Sequence, residues 1–286
     1  MKRSRPSDVK AILAERAIRP NRVLGQNFLV DQNILAIILT SAHLARTDTV
    51  LEIGPGLGVV TERLLDVAGR VVAVEKDPSL AEYLHDTLGP AVRLQLITAD
   101  ALELDLPALL RDEKITHVVS NLPYSAGTRI LMEIMAADAR PLRLVVMLQL
   151  DVAERLIAAP GSKAYGTATI FTQLYYDVWL RKVVSPTCFY PPPDVRSAIV
   201  EFYRRAEPVA QPDNTGCFRD LVRWCFSQRR KQIGHILAHA PQTLAAGTDP
   251  AILLQAAGCR PDQRPETIAV REWVALANAL YMVRAN

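Results

Sequence analysis

The sequence predicts an α/β protein, a doubly wound, mainly parallel sheet with an antiparallel edge strand, followed by a small all-α C-terminal domain. Three observations predict it. Between residues 49 and 150, short apolar runs rich in Val, Ile and Leu alternate with segments of helical spacing, at the lengths of βαβ units. Between residues 171 and 205, two longer strand-like runs follow one another with no helix between them. From Phe218 onward only helical patterns remain. A chain of 286 residues accommodates one large domain and one small one. The expected division is 1–206 and 207–286, with "AEPVAQPDNTG" at the join.

In chain order, residues 7–19 and 31–45 have helical spacing, the second with Ile34, Leu35, Ile37, Ile38 and Leu39 on a broad apolar face. "RVLGQNFLVD" between them is a loop containing Gly25. "TVLEIG" (49–54) is a buried strand, followed by a glycine loop and the helical "VTERLLDVA". "RVVAVEKD" (70–77) is the second strand, and Pro78 opens the helix "PSLAEYLHDTL". "VRLQLITAD" (92–100), "ITHVVSNLPY" (115–124) and "LRLVVMLQL" (142–150) supply three more strands. "FTQLYYDVWLRKVV" and "SAIVEFYRR" read as the antiparallel pair, joined by "SPTCFYPPPDVR". There is no internal repeat and no low-complexity segment.

Composition narrows the classes. Apolar residues make up 50% and charged residues 22%, as in ordinary soluble proteins. A formal charge of +3 is too small to define a partner. Its distribution says more: residues 1–22 carry Lys2, Arg3, Arg5, Lys10, Arg16, Arg19 and Arg22 against only Asp8 and Glu15, a basic arm suited to phosphate backbones. Cys188, Cys217, Cys225 and Cys259 form no CxxC pair, which points to free thiols in a reducing cytoplasm. No apolar segment follows the charged N-terminus as in a signal peptide, and "LRLVVMLQL" is far short of the ~20 residues that span a bilayer. The expectation is a cytoplasmic, monomeric protein without membrane segment or metal.

The candidate site begins at "LEIGPGLG", which places Glu52, Gly54, Gly56 and Gly58 between a strand and its helix. Glycines there allow a sharp turn and close approach of a ligand to the backbone. Nicotinamide, flavin and methyl-transfer enzymes all use such a loop. Glu75 ends the second strand, where a carboxylate can accept hydrogen bonds from both hydroxyls of a ribose. Asp100 ends the third, where an adenine would lie. These strand ends line the carboxyl edge of one sheet and point to an adenosine-containing cofactor.

The fourth strand ends in Asn121, Leu122, Pro123 and Tyr124. Hydride transfer has no use for that order, but methylation of an exocyclic amine does. An adenine N6 is nearly planar and weakly nucleophilic. The side-chain oxygen of Asn121 and the backbone carbonyl of Leu122 can accept its two N–H protons, steering the nitrogen towards tetrahedral geometry. Pro123 stiffens the turn and biases Leu122 to an extended conformation. Tyr124 offers a face on which an unstacked base can rest. The donor this chemistry calls for is S-adenosylmethionine, with positioning rather than a strong base carrying the catalysis. A second ring, Phe189 or Tyr190 of "CFYPPPDV", is placed to sandwich the base from the other side.

The set "LGQNFLVD", "LEIGPGLG", "VEKD", "TADAL", "NLPYSAGTRIL" and "FYPPPDVRSAIV" resembles the KsgA-type ribosomal RNA small-subunit adenine dimethyltransferases. Order and spacing agree from about residue 20 to 205, and "QRRKQI" (228–233) resembles the start of that family's helical C-terminal domain. The resemblance implies a class I (Rossmann-like) methyltransferase sheet, with a small helical domain for rRNA recognition. It implies transfer of two methyl groups from S-adenosylmethionine to N6 of each of two adjacent adenosines near the 3′ end of small-subunit rRNA, on an immature small subunit. It further implies that Gln26, Asn27, Leu29, Gly54, Gly56, Glu75, Lys76, Asp100, Ala101 and Asn121 contact or frame the cofactor, and that Asn121, Leu122, Pro123, Tyr124 and Phe189 face the reacting base. The sequence departs from the family pattern at Leu150–Asp151, where a Lys-Glu pair is common, at Arg129, where proline is frequent, and at Arg196, where aspartate is usual. The related large-subunit methyltransferases of the macrolide-resistance type, and a non-catalytic ribosome-assembly factor on the same fold, stand as alternatives.

Two C-terminal features complete the reading. His235 and His239 have the i, i+4 spacing of metal ligands but no accompanying acid or third ligand, so no metal site is expected. Phe218, Leu221, Val222, Cys225 and Ile233 recur as a core face, leaving Arg219, Arg223, Arg230 and Lys231 as a basic face for phosphate.

Overall fold

A computed structural model describes residues 5–21, 25–89, 92–241, 244 and 249–285. It divides into two units, Met1–Ala153 with Val178–Arg204, and Glu154–Asp177 with Arg205–Asn286. The chain therefore enters the second unit twice, where the sequence suggested a single boundary at residue 206. The reason is packing: Tyr165, Ile170 and Leu174 belong to the same buried cluster as Phe218, Leu221 and Trp273.

The first unit is built on a seven-stranded sheet, in the order β4-β3-β2-β5-β6-β9-β7. Its strands are β2 (Thr49–Ile53), β3 (Arg70–Glu75), β4 (Leu94–Thr98), β5 (His117–Asn121), β6 (Arg143–Gln149), β7 (Tyr176–Val184) and β9 (Ser197–Arg204). β2 is parallel to β3 and β5, β3 to β4, and β5 to β6. Val50, Leu51, Val71, Val72, Val118 and Val119 are fully buried, as central parallel strands with helices on both faces require. β9 runs antiparallel to β6, pairing Arg143 with Tyr203 through to Gln149 with Ser197, and leaves β7 at the edge. A short antiparallel pair joins β1 (Phe28–Leu29) to β8 (Phe189–Tyr190), two segments the sequence treats as unrelated loops.

The crossover helices start where the sequence supplies caps. Asp31 accepts from the backbone of Asn33 and Ile34 at the start of α2 (Gln32–Ala42), after α1 (Pro6–Glu15). α3 (Val59–Val67) follows the glycine loop, Asp77 and Pro78 open α4 (Pro78–Leu88), and Asp105 caps α5 (Leu106–Asp112). α6 (Gly127–Ala136) buries Ile130, Leu131, Ile134 and Met135, and α7 (Leu150–Leu156) follows β6 directly.

One strand assignment is corrected. "FTQLYYDVWLRKVV" is not one strand: α8 (Thr167–Tyr175) takes its first five residues, and β7 begins only at Tyr176. The β-branched and aromatic residues suit a strand, but helical spacing buries Thr169, Ile170, Thr172 and Leu174 on one face, and that tertiary burial overrides local preference. In the second unit, α9 (Thr215–Ser227) buries Cys217, Phe218, Leu221, Val222 and Cys225, as the apolar spacing predicts. α10 (Ile233–Ala238), α11 (Pro250–Ala257) and α12 (Val270–Ala285) complete it around the fully buried Trp273. All four cysteines are free thiols. Among the described residues no helix is long and apolar enough to cross a membrane.

Candidate active site

The carboxyl ends of β2, β3, β4 and β5 surround a cavity of about 340 Å³, in the size range of small-molecule sites. The ten residues expected at a cofactor, from Gln26 to Asn121, all line it, and so do Leu122, Pro123 and Tyr124.

The floor is the turn after β2. Gly54, at φ +71°, donates its N–H to the carbonyl of Val74 at 2.8 Å. A Cβ on it would make ordinary contact with the Pro123 ring, so the positive φ rather than crowding is what calls for glycine here. Glu75 ends β3 at 5% exposure, one carboxylate oxygen accepting from the N–H of Gly56 at 3.0 Å and the other from Asp77 at 2.9 Å. Desolvation pushes this carboxyl above its ordinary range, and the backbone donors oppose the shift. Asp100 accepts from the Lys76 ammonium at 2.6 Å and from the N–H of Leu102 at 2.9 Å, and these contacts hold its pKa below the usual carboxylate range.

The wall opposite is the turn after β5. Leu122 is buried and donates its N–H to Met147, while the carbonyl of Pro123 receives the N–H groups of Ala126 and Gly127, which starts α6. The Asn121 amide is fixed by one contact: Nδ2 donates to the backbone carbonyl of Asn27 at 3.1 Å. Its Oδ1 is buried and has no hydrogen-bond partner. A buried acceptor without a donor costs about 1–3 kcal/mol unless a water or a ligand supplies one, and this one lies in a residue that lines the cavity. The Asn27 loop is tied down in turn. Gln26 accepts from the N–H of Asn21 at 2.7 Å and donates to Asp77 at 2.8 Å, which links the Asn121 turn to the end of β3. Tyr124 lines the cavity half-buried, its phenol hydrogen-bonded to the hydroxyl of Ser197.

Phe189 requires a correction. It is 3% exposed, does not line the cavity, and joins the buried cluster of Leu29, Leu35 and Ile199. Pairing of β8 with β1 alternates its side chains, so Phe189 turns inward and Tyr190 turns to the cluster of Val9 and Leu80, with the Lys10 ammonium 5.3 Å from its ring centre. Neither ring meets Tyr124 across the cavity.

Two lining residues were given no role by the sequence reading. Arg129 stands exposed on the first turn of α6, at the side of Asp100. Glu52 is 1% exposed, and its Oε2 has no hydrogen-bond partner. An acid inside the apolar run "TVLEIG" was the available signal. Burial pushes the Glu52 carboxyl up to about 8, the neighbouring Thr61 hydroxyl opposing the shift and the Glu75 charge adding to it. The folded protein therefore binds one more proton than the unfolded chain between pH about 4.5 and about 8. This stabilising contribution is complete below the lower value and is lost as pH rises through the upper one. Glu52→Gln is expected to match the wild type in thermal unfolding near pH 5 and to exceed it by several degrees at pH 8.5, ~1 kcal/mol shifting Tm by a few degrees in a chain of this size. Equal melting temperatures at both pH values would contradict a buried, proton-holding Glu52.

The cavity fits an adenosyl cofactor on two counts. Glycine backbone leaves room at the β2 turn, and Glu75 and Asp100 stand at successive strand ends. Among the described residues no group of three or more His, Cys, Asp or Glu is arranged to hold a metal, and His235 and His239 stack on each other at 4.2 Å.

Comparison with known proteins bears directly on this geometry. The family model described as ribosomal RNA adenine dimethylase matches residues 18–253. The ribosomal RNA small subunit methyltransferase A of Opitutus terrae is 41% identical over 282 residues, covering 95% of this chain and 97% of that protein. Among solved structures, a dimethyladenosine transferase from Plasmodium falciparum superposes with a TM-score of 0.74 at 22% identity, over 87% of this chain and 95% of that one. The 23S rRNA methyltransferase ErmE superposes at 0.65 with 25% identity, over 89% and 100%.

Proposed function

The chain belongs to the ribosomal RNA adenine dimethylase family, and from that premise we propose which of its residues perform the transfer and on which RNA. The activity is S-adenosylmethionine-dependent dimethylation of adenine N6 in small-subunit ribosomal RNA. S-adenosylmethionine supplies, when bound, a methyl group made electrophilic by its sulfonium. Glu75 holds the ribose hydroxyls, Asp100 and the adjoining Ala101 receive the adenine, and Gly54 and Gly56 leave room for the backbone to approach. Asn121 Oδ1 and the Leu122 carbonyl accept the N–H protons of the target amine and aim its lone pair into the cavity. Tyr124 supports the face of the base.

The observation that carries this reading is the Asn121 amide. Its nitrogen is committed to Asn27 and its buried oxygen lacks a donor, which is the vacancy an exocyclic amine fills. In the second unit, Arg219 and Arg223 of α9, with Arg230 and Lys231 beyond it, are exposed and form a face suited to phosphates. Of the N-terminal basic residues, Arg16 is paired with Asp86 at 2.7 Å and Arg5 and Arg19 are exposed; Lys2, Arg3 and Arg22 lie outside the described residues. An immature small subunit in the cytoplasm is the substrate this reading assigns.

Incubating the protein with immature small subunits, large subunits and bare RNA, then mapping dimethyladenosine, tests the assignment. Two adjacent dimethyladenosines near the 3′ end of the small-subunit RNA are expected; modification confined to large-subunit RNA would favour the macrolide-resistance type. RNA affinity is expected to fall steeply with salt. Charge reversal at Arg219 and Arg223 should reduce the slope of log K against log [salt] by roughly 1–2. An unchanged slope would remove α9 from the RNA-binding surface.

A further inference from the structure

We propose that Ser197 is a positioning residue for the target base, its hydroxyl holding the Tyr124 phenol and so fixing where the stacking ring sits at the cavity. The proposal rests on the reading of Tyr124 as that stacking surface.

Strand register brings the two residues together. Asn121 of β5 pairs with Met147 of β6, and Met147 pairs with Ile199 of the antiparallel β9. Two residues further towards the cavity edge, Gln149 pairs with Ser197, which stands level with the position of Pro123. Ser197 is fully buried at the first position of β9, and the preceding residue is anchored where Leu150 donates its N–H to the Arg196 carbonyl at 2.9 Å. From there the hydroxyl meets the Tyr124 phenol.

The contact removes the freedom that matters for stacking. The Tyr124 backbone is already set by the Pro123 turn, whose carbonyl takes the N–H groups of Ala126 and Gly127. The remaining freedom is the choice of staggered well about Cα–Cβ, which would swing the whole ring away from the place the base needs. A hydrogen bond at the far end of the ring holds that place before substrate arrives, so ordering does not weigh against the reactive complex. The phenol oxygen is engaged within the protein, and burial raises its pKa, so it stays protonated near neutrality. The ring face, rather than the hydroxyl, is what Tyr124 offers the base. This gives a physical reason for a serine at the start of β9.

The test compares Ser197→Ala, Tyr124→Phe, their double variant and Tyr124→Ala, measuring kcat and KM on small-subunit substrate and cofactor affinity by calorimetry. Ser197→Ala and Tyr124→Phe are each expected to lower kcat by roughly threefold to tenfold, with KM and cofactor affinity changed less than about twofold. The double variant is expected to be no worse than either single one, because both remove the same contact. Multiplying losses in the double variant, or a loss of cofactor affinity in Ser197→Ala that matches its loss of kcat, would overturn the proposal as a general structural effect. Loss of activity in Tyr124→Ala beside full activity in Ser197→Ala overturns the positioning role alone. Full activity in Tyr124→Ala removes the stacking reading and this proposal with it.

Discussion

Replacing Asn121 with alanine is expected to lower methyl transfer by about 10²–10³-fold or more, the scale of losing one preorganised hydrogen-bonding group at a reacting centre, while the cofactor still binds within a few-fold of wild type. The amine gains nucleophilicity only if its protons are drawn out of the plane of the ring. Only a positioned oxygen in the protein can do that without a strong base. The Asn27 carbonyl makes the prediction directional. It accepts from Nδ2 at 3.1 Å and so requires an N–H at that corner of the side chain. Asn121→Asp preserves the shape but sets a carboxylate oxygen against a carbonyl oxygen. It is therefore expected to be as inactive as Asn121→Ala at neutral pH, although it still has an acceptor. Transfer by either variant at the wild-type rate, measured in single turnover with saturating cofactor, would remove Asn121 from the chemistry.

The second large effect concerns Glu75. Glu75→Ala is expected to weaken cofactor binding by roughly 100-fold, the loss of two hydrogen bonds to a charged group at ~1.5–3 kcal/mol each being partly recovered by water. Glu75 has a further task in the protein, because its two oxygens hold the N–H groups of Gly56 and Asp77. Asp77 in turn receives Gln26 from the loop that orients Asn121. Glu75→Gln separates the tasks. It keeps one acceptor for the loop but replaces the other with an NH₂ that faces a donor. Its cofactor affinity is expected to lie between those of the wild type and Glu75→Ala. Calorimetry on the three proteins decides the matter, and equal affinities would show that no ribose contact is made there.

Much of this was legible in the chain. The order of βαβ units, the glycine loop and the acids at successive strand ends are local features. A parallel strand flanked by helices must be apolar throughout, and each crossover needs its own cap and turn residues. Asn121 to Tyr124 stood out because no turn needs that combination of side chains. Other features depend on contacts between distant segments. Phe28 and Leu29 pair with Tyr190 and Phe189, and that pairing, not the residue type, turned Phe189 into the core and away from the base. Residues 171–175 have strand-like composition, yet they are helical because the cluster around Phe218 and Trp273 rewards a helical face.

The sequence by itself determined the fold class and the family's chemistry, and singled out the Asn121 amide, because each is written in residues adjacent along the chain. Tertiary structure alone decided which end of that amide is left without a partner, through a carbonyl 94 positions away in sequence. It also decided what holds the Tyr124 ring, through a hydroxyl 73 positions away. A hydrogen bond across such a separation has no local pattern. It exists only once the strand register has placed both partners at the same edge of the sheet.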